Sequence, residues 1–476
     1  MRIVKASYNQ AILPEHQGNP LIEALPPKKS WEGMMDAFSN YPEMAEDIRD
    51  HTNPMVREEY LTRLKELRQP LPIYYDCFRA IERALKQGYS AKNPLTPTMA
   101  QYLHYPVNER PHIEPKTGYF VPKAETITLI GESGTGKTSM LEQVLNYFPQ
   151  VIEHSSYKGL PVQPRRQVVW VKVDCPSNSS VRDLCEELLT HLDLAMQREK
   201  TKSAGTIGGL VRQIEQHIKS SFLGVLVIDE MQRLRFKRTG GENNLLSFLH
   251  SLINNLGVPI FFCANPPFNE TLEKTLKAAR RAESGGYFTM KLLERKSDSW
   301  DAFVHELWDL QWTNFFNELT DELNDKIYDL SVGNLDMAHR IYREAQRLVI
   351  GSGDERITTA TLEIASMLAC GLSSKTEEIK LIKSDQFLPR RAKTSTISIV
   401  KNNKEKFKTH SAGDITKPQY PEFANQLREI VGSVDILSRI KNPDLFQQAG
   451  ISNNPIDFLR LHDMMLDDPL VKLSTY

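Results

Sequence analysis

The stretch Thr126-Ile-Thr-Leu-Ile-Gly131-Glu132-Ser133-Gly134-Thr135-Gly136-Lys137-Thr138-Ser139, running on to Tyr147, decides how the rest of the chain is read. Thr126–Ile130 is β-branched and apolar, the texture of a buried strand. Gly131 to Thr138 then spells GxxxxGK[ST], and Ser139–Tyr147 has helical character, so the motif stands in its required strand–loop–helix setting. Glycines at 131, 134 and 136 let backbone N–H groups converge on phosphate oxygens, and the helix that follows adds its positive dipole end. Lys137 would neutralise the β- and γ-phosphates, and the Thr138 hydroxyl would coordinate Mg²⁺. A glycine-rich turn can match by accident, but the flanking strand and helix argue against that. The candidate ATP-binding set is Gly131, Glu132, Ser133, Gly134, Thr135, Gly136, Lys137, Thr138 and Ser139.

Outward from this loop, Val225-Leu-Val-Ile-Asp229-Glu230 reads as an apolar strand ending in two carboxylates. Asp229 would hold hydrated Mg²⁺ and Glu230 would polarise the attacking water. The guanine-reading NKxD and the transporter signature LSGGQ are both absent, so an ATPase that hydrolyses with water is expected. Further runs at Val168–Val173 and Val258–Cys263 complete four β-type segments, most of them separated by room for a crossover helix. That is the pattern of a parallel sheet flanked by helices. Asn265, ending the last run, has the chemistry to hold the lytic water or the γ-phosphate; a turn-forming Asn before Pro266 is the competing reading. In the AAA+ plan Arg280 and Arg281 could act in trans on a neighbouring subunit's γ-phosphate. A basic residue on the third lid helix, here Arg340, would contact nucleotide in cis. The chain reads Gly333-Asn-Leu-Asp-Met-Ala-His-Arg340 in place of a compact GNxR, which displaces that residue.

Length and charge bound the alternatives. The chain has 476 residues, more than one ordinary core requires. With 40% hydrophobic and 25% charged residues it is not disordered as a whole. A formal charge of −1 excludes a bulk polycation, so any nucleic-acid contact must use local patches. Candidates are Arg233, Arg235, Lys237 and Arg238 just after the carboxylates, then Lys158, Arg165 and Arg166, and Arg198, Lys200 and Lys202; a solvated charge run is the default reading of each. The five cysteines are scattered without a CxxC pair, which argues against a disulfide scaffold and for a reducing compartment. No apolar run approaches membrane-spanning length and no signal core opens the chain, so a cytoplasmic protein with no membrane partner is expected.

The expected organisation is an α/β protein: an irregular N-terminal extension over 1–120, an AAA+ P-loop ATPase core over 121–297 and a helical lid over 298–372. The Trp300–Phe316 aromatics read as lid core. A basic linker would follow over 373–419, where ten Lys/Arg face four Asp/Glu between 373 and 408, and a C-terminal docking segment over 420–476.

The chain resembles the TnsC transposition regulators of transposons of the Tn-seven type. The likeness lies in Asn19-Pro-Leu-Ile-Glu-Ala-Leu-Pro26, Gly88-Tyr89 with Asn93-Pro94, Tyr147-Phe-Pro-Gln-Val-Ile152, Val173-Asp-Cys175, Leu226–Glu230 with Gln232, Gly257-Val-Pro259 and Ala279-Arg-Arg281. It covers about residues 8 to 372. Ala264-Asn265 departs from the Gly-Thr expected at the sensor strand end. The resemblance implies ATP and Mg²⁺ as cofactors and a ring or filament of about six or seven subunits per turn on double-stranded DNA. It implies as partners a target selector of the TniQ/TnsD type, the transposase TnsB and the endonuclease TnsA. Other readings stay open: a replication initiator or helicase loader, or a signalling ATPase that oligomerises without nucleic acid.

Overall fold

The computed structural model describes residues 2–44, 46–96, 123–176, 181–233, 256–266 and 284–370, with a few isolated positions between them. The chain divides into two units, Met1–Leu388 and Pro389–Tyr476. The second lies outside the described residues, as do the basic linker expected over 373–419, the docking segment expected over 420–476, and Arg235, Lys237, Arg238, Arg280 and Arg281.

The first unit is built on a five-stranded parallel sheet in the order β5-β6-β7-β2-β8. These strands are β2 (Thr126–Gly131), β5 (Trp170–Asp174), β6 (Val225–Asp229), β7 (Ile260–Ala264) and β8 (Gly286–Met290). The three central strands are buried at every position, whereas edge strands β5 and β8 keep partly exposed positions. Parallel strands need crossovers, and helices covering both faces leave only the edges wet, which explains the continuous apolar runs. Helix α6 (Lys137–Tyr147) follows β2, and α7 (Val181–Met196) and α8 (Ile207–Ser221) lie between β5 and β6. The sheet is an AAA+ P-loop ATPase fold.

Two sequence expectations need correction. The run Val168–Val173 is not one strand: Val168 ends β4 (Leu160–Val168) in a different sheet, and β5 starts at Trp170. That second sheet has the order β1-β3-β4, with β1 (Ile3–Lys5) parallel to β3 (Val151–Tyr157) and β4 antiparallel to it. Lys158 and Gly159 form the two-residue turn between Tyr157 and Leu160, both at positive φ (+49° and +79°), as a type I′ hairpin turn requires. Arg165 and Arg166, candidates for a nucleic-acid contact, therefore sit within a strand. Pro161 and Pro164 make this segment read as a loop, but β4 is an edge strand, where proline costs no ladder bond.

The N-terminal region is also less irregular than its prolines suggest. Helix α1 (Pro20–Glu23), α2 (Trp31–Phe38) and the 19-residue α5 (Pro72–Ser90) bury Leu21, Met34, Phe38, Phe78, Ile81 and Tyr89 in the same core as the sheet. Asn19 caps α1 by accepting from Leu21 N and donates to the Tyr89 carbonyl at 2.8 Å. Gly88 lies where a Cβ would meet Pro259 at 3.1 Å, and Tyr89 donates to the Phe222 carbonyl. Between these pieces, α3 (Glu46–Arg49), α4 (Pro54–Tyr60) and the 3-10 turn Leu61–Glu66 leave the sheet, and Leu61, Leu64 and Leu67 join the core of the lid.

The lid comprises α9 (Asp298–Asp309), α10 (Asp321–Ser331), α11 (Leu335–Val349) and α12 (Thr359–Cys370). Ser297, Thr320 and Asn334 cap the first three through side-chain acceptors. Trp300, Phe303, Trp308 and Trp312 are buried there, but Phe315 and Phe316 are exposed, because the chain leaves the helix after Asp309. The buried pair Arg57–Glu355, with Nη2 to Oε1 at 2.7 Å, fastens α4 to the lid. No helix among the described residues is long and apolar enough to cross a membrane.

Candidate active site

The loop after β2 folds as its composition requires. Gly134 and Gly136 take φ values of +81° and +89°, accessible at low cost only to glycine. Thr135 Oγ1 and Lys137 Nζ both donate to the Glu132 carbonyl, at 2.9 and 2.7 Å. Lys137 is mostly buried; burial lowers its pKa, and Cys263, Asp229, Glu230 and Glu132 offset part of that shift. A lysine dehydrated in this way is primed for an anionic ligand.

Register brings the other groups to the same sheet end. Asp229 closes β6 opposite Asp174 of β5, and its Oδ1 accepts from the Glu230 N at 2.8 Å. Its Oδ2 lies 3.3 Å from Lys172 Nζ, which also pairs with Asp174 at 2.9 Å. Burial alone would lower the Lys172 pKa, but the two aspartates outweigh it and hold that pKa up. Glu230 adopts φ +58°, a left-handed conformation that costs a non-glycine residue about 1–2 kcal/mol. Its Oε2 accepts from Gln232 Nε2 at 2.9 Å and pairs with Arg233 Nε at 3.0 Å. Gln232 Oε1 in turn accepts from the Asn265 N at 2.9 Å, tying the carboxylate to the end of β7. Asn265 Oδ1 is buried and has no hydrogen-bond partner among the described residues.

Of these groups Lys137, Glu230 and Asn265 line a cavity of about 420 Å³. One wall carries Ser133, Gly134, Gly136, Lys137, Thr138, Ser139, Glu230 and Asn265. The opposite wall carries Lys65, Leu67, Arg68, Gln69 and Tyr74 from the N-terminal region, and Phe303, Leu335, Asp336 and His339 from the lid. The lid clasps the loop directly: Asn334 Nδ2 donates to the Ser133 carbonyl at 3.0 Å and the Asp336 N donates to the Gly134 carbonyl at 3.1 Å. The oxygen donors fit Mg²⁺. A hydroxyl at 138 and a carboxylate at 229 are hard ligands, and Lys172 stands against Asp229 as a cationic counterpart. Among the described residues no group of three or more His, Cys, Asp or Glu could by itself hold a metal ion.

Arg340 is not among the residues that line the cavity; its guanidinium pairs with the lining residue Asp336 at 2.9 Å and donates to the Ala369 carbonyl of α12 at 3.2 Å. The basic residues of the hairpin also have internal partners. Arg166 pairs with Glu153 at 2.9 Å and donates to the Met196 carbonyl, and Arg165 stacks on Phe222. Lys158, at the exposed turn, lies 4.0 Å from Glu23. Lys172, Arg68 and the clasp by Asn334 were not found by sequence reading. Only Asn334 carried a signal, as a capping residue after Gly333.

Fold and site together define a P-loop nucleotide-binding module of the AAA+ type. Residues 123–272 match the model of a family described as an AAA domain. No curated protein matches the chain. Among solved structures it is similar to the ORC1 protein of Aeropyrum pernix in complex with DNA, at 16% identity over 65% of this chain and 68% of that one, with a TM-score of 0.37. It is similar to Cdc6p of Pyrobaculum aerophilum at 13% identity over 73% and 75%, TM-score 0.40. It is also similar to the RuvB Holliday junction branch migration motor of Thermotoga maritima at 12% identity over 73% and 83%, TM-score 0.32. The strand order and the domain match carry the fold assignment.

Proposed function

We propose that this chain is an ATP-hydrolysing regulator of transposition that assembles on double-stranded DNA and links a target selector of the TniQ/TnsD type to the transposase TnsB and endonuclease TnsA. One observation carries the ATPase part: Lys137, Thr138, Glu230 and Asn265 meet around a single cavity. The finer reading is supported by the resemblance over Asn19–Pro26, Gly88-Tyr89 and Tyr147–Ile152.

In the proposed mechanism the loop amides and Lys137 bind the triphosphate, and the N-terminus of α6 adds its dipole. Thr138 Oγ1 and Asp229 would hold Mg²⁺, which would supply charge neutralisation at the phosphates. Glu230 accepts the proton of the attacking water, and the unpartnered Asn265 Oδ1 accepts a second hydrogen bond from it, fixing its direction. Arg280 or Arg281 of an adjacent subunit stabilises the transferring charge. DNA phosphates are bound by Arg233, Arg235, Lys237 and Arg238 without reading bases. Arg233 already pairs with Glu230, so a phosphate drawing it away would free the carboxylate and couple DNA occupancy to hydrolysis.

The test is electron microscopy of the full chain with duplex DNA and a non-hydrolysable ATP analogue. Rings or filaments threaded by DNA, absent for Lys137→Ala, are expected. Nucleotide-dependent assembly that ignores DNA would replace this reading with a signalling ATPase. DNA-threaded assemblies that do not recruit TnsB would point to a replication initiator or helicase loader.

A further inference from the structure

The lid-facing wall of the cavity is crossed by a short strap, Arg68-Gln69-Pro70. On one side of it Leu61, Leu64 and Leu67 are buried in the lid core; on the other, Leu71 and Tyr74 are buried in the core of the sheet. The strap is pinned where it crosses. Arg68 exchanges backbone hydrogen bonds with Asn40 at 2.8 and 3.0 Å, and Asn40 Nδ2 donates to the Glu66 carbonyl at 2.6 Å. The backbone of position 68 is therefore fixed, and its side chain opens onto the cavity shared with Gly134–Ser139.

Three observations single out this arginine. Its Nη1 donates to the carbonyls of Lys65 and Leu67, the latter at 2.9 Å, which holds the guanidinium in place. Its Nε is buried and has no hydrogen-bond partner among the described residues, a donor whose desolvation is uncompensated unless a ligand supplies an acceptor. Its charge is felt by two other lining groups: burial raises the Tyr74 phenol and lowers the His339 imidazole, and in both cases Arg68 adds a lowering contribution. Tyr74 in turn lies beside the loop, its Oη 3.9 Å from where a Cβ on Gly136 would stand. Arg340, the basic residue expected in this role, is not among the cavity's lining residues and pairs with Asp336, which is.

We propose that Arg68 is a nucleotide-binding residue, the cis cation that meets the phosphate chain from the lid side, supplied by the N-terminal strap and not by the third lid helix. This rests on the nucleotide reading of the cavity and deepens it. Because the strap joins the two cores, nucleotide bound at Arg68 also ties the N-terminal region to the lid.

The experiment is calorimetric titration of ATP and of ADP into the full chain and into Arg68→Gln, Arg340→Gln and Lys137→Ala, with melting temperatures measured with and without nucleotide. A charge-assisted hydrogen bond is worth about 1.5–3 kcal/mol, so Arg68→Gln is expected to weaken both nucleotides by about tenfold to a hundredfold. Arg340→Gln is expected to change affinity by less than about twofold. The nucleotide-free melting temperature of Arg68→Gln should match the parent, and only the nucleotide-induced rise should shrink; a purely structural role would do the reverse. Parental affinity in Arg68→Gln together with lost binding in Lys137→Ala overturns this proposal and leaves the nucleotide reading standing. Failure of the parent to bind either nucleotide overturns both. If Arg68→Gln lowers the nucleotide-free melting temperature, affinity is read on Arg68→Lys, which keeps the charge and lacks Nε–H. A loss of about fivefold is expected there, and unchanged affinity overturns the proposal.

Discussion

The two walls of the cavity are assembled in different ways. The phosphate-loop wall comes from strand ends that register sets side by side: Gly131–Ser139 after β2, Asp229-Glu230 after β6 and Asn265 after β7. The facing wall is gathered from three distant stretches, 65–74, Phe303 and 335–339, which meet only because the N-terminal region packs into both cores. A wall built on a sheet is rigid by construction. A wall built on a lid and a strap depends on the contacts that hold them, and those contacts are the places to break it.

The largest effect is expected at the buried pair that fastens α4 to the lid. Removing one partner of a buried ion pair costs about 3–5 kcal/mol, so Arg57→Met should strongly lower stability in denaturant unfolding. The double variant Arg57→Met with Glu355→Met should recover much of that loss, since no buried charge is left alone. If the single variant melts like the parent, α4 is not held to the lid through this pair.

Gly134 tests where the walls touch. An added methyl would sit 2.4 Å from Asn334 Oδ1, on a backbone at φ +81°. Gly134→Ala should cost about 1–2 kcal/mol from the backbone alone and weaken ATP binding about tenfold or more. Adding Asn334→Ala should restore part of the affinity, because the collision goes and the backbone strain stays. Full restoration would mean that the glycine serves only the lid clasp.

The smallest effect is in pH. Burial lowers the pKa of His154, beside the hairpin, and of His339, in the lid-facing wall, below the usual 6.5. The unfolded chain therefore binds more protons than the folded one as pH falls through and below about 6.5, and stability falls with it. Burial would raise Glu355, but Arg57 and two backbone donors outweigh it and hold it below 4.5, so its contribution is lost at still lower pH. Thermal unfolding followed from pH 8 downward should show loss beginning near neutrality, and His339→Gln should flatten its first phase. A melting temperature flat down to about pH 5 would contradict this.

What could be read from the sequence divides along the same line. Lys137, Thr138, Asp229 and Glu230 were legible because a strand, a loop and a helix start lie within a few residues of one another. Arg68 was not, since nothing near Leu67-Arg-Gln-Pro70 says that two cores meet there. Of α11, which Asn334 caps, residues 335, 336 and 339 line the cavity, and Arg340 meets it only through its pair with Asp336. The hairpin β3–β4 was hidden by its prolines. The segments that carry the resemblance, Asn19–Pro26, Gly88-Tyr89 and Tyr147–Ile152, pack into the core shared with the sheet, so part of their restriction is structural.

The most direct test of the account is single-turnover hydrolysis alongside ATP affinity for Glu230→Gln. The glutamine keeps the shape and can still meet Gln232, but it cannot take a proton from water. The account predicts affinity within about threefold of the parent and hydrolysis slowed by about a hundredfold or more, in the range of general-base catalysis. Hydrolysis at the parental rate, with binding intact, would contradict it.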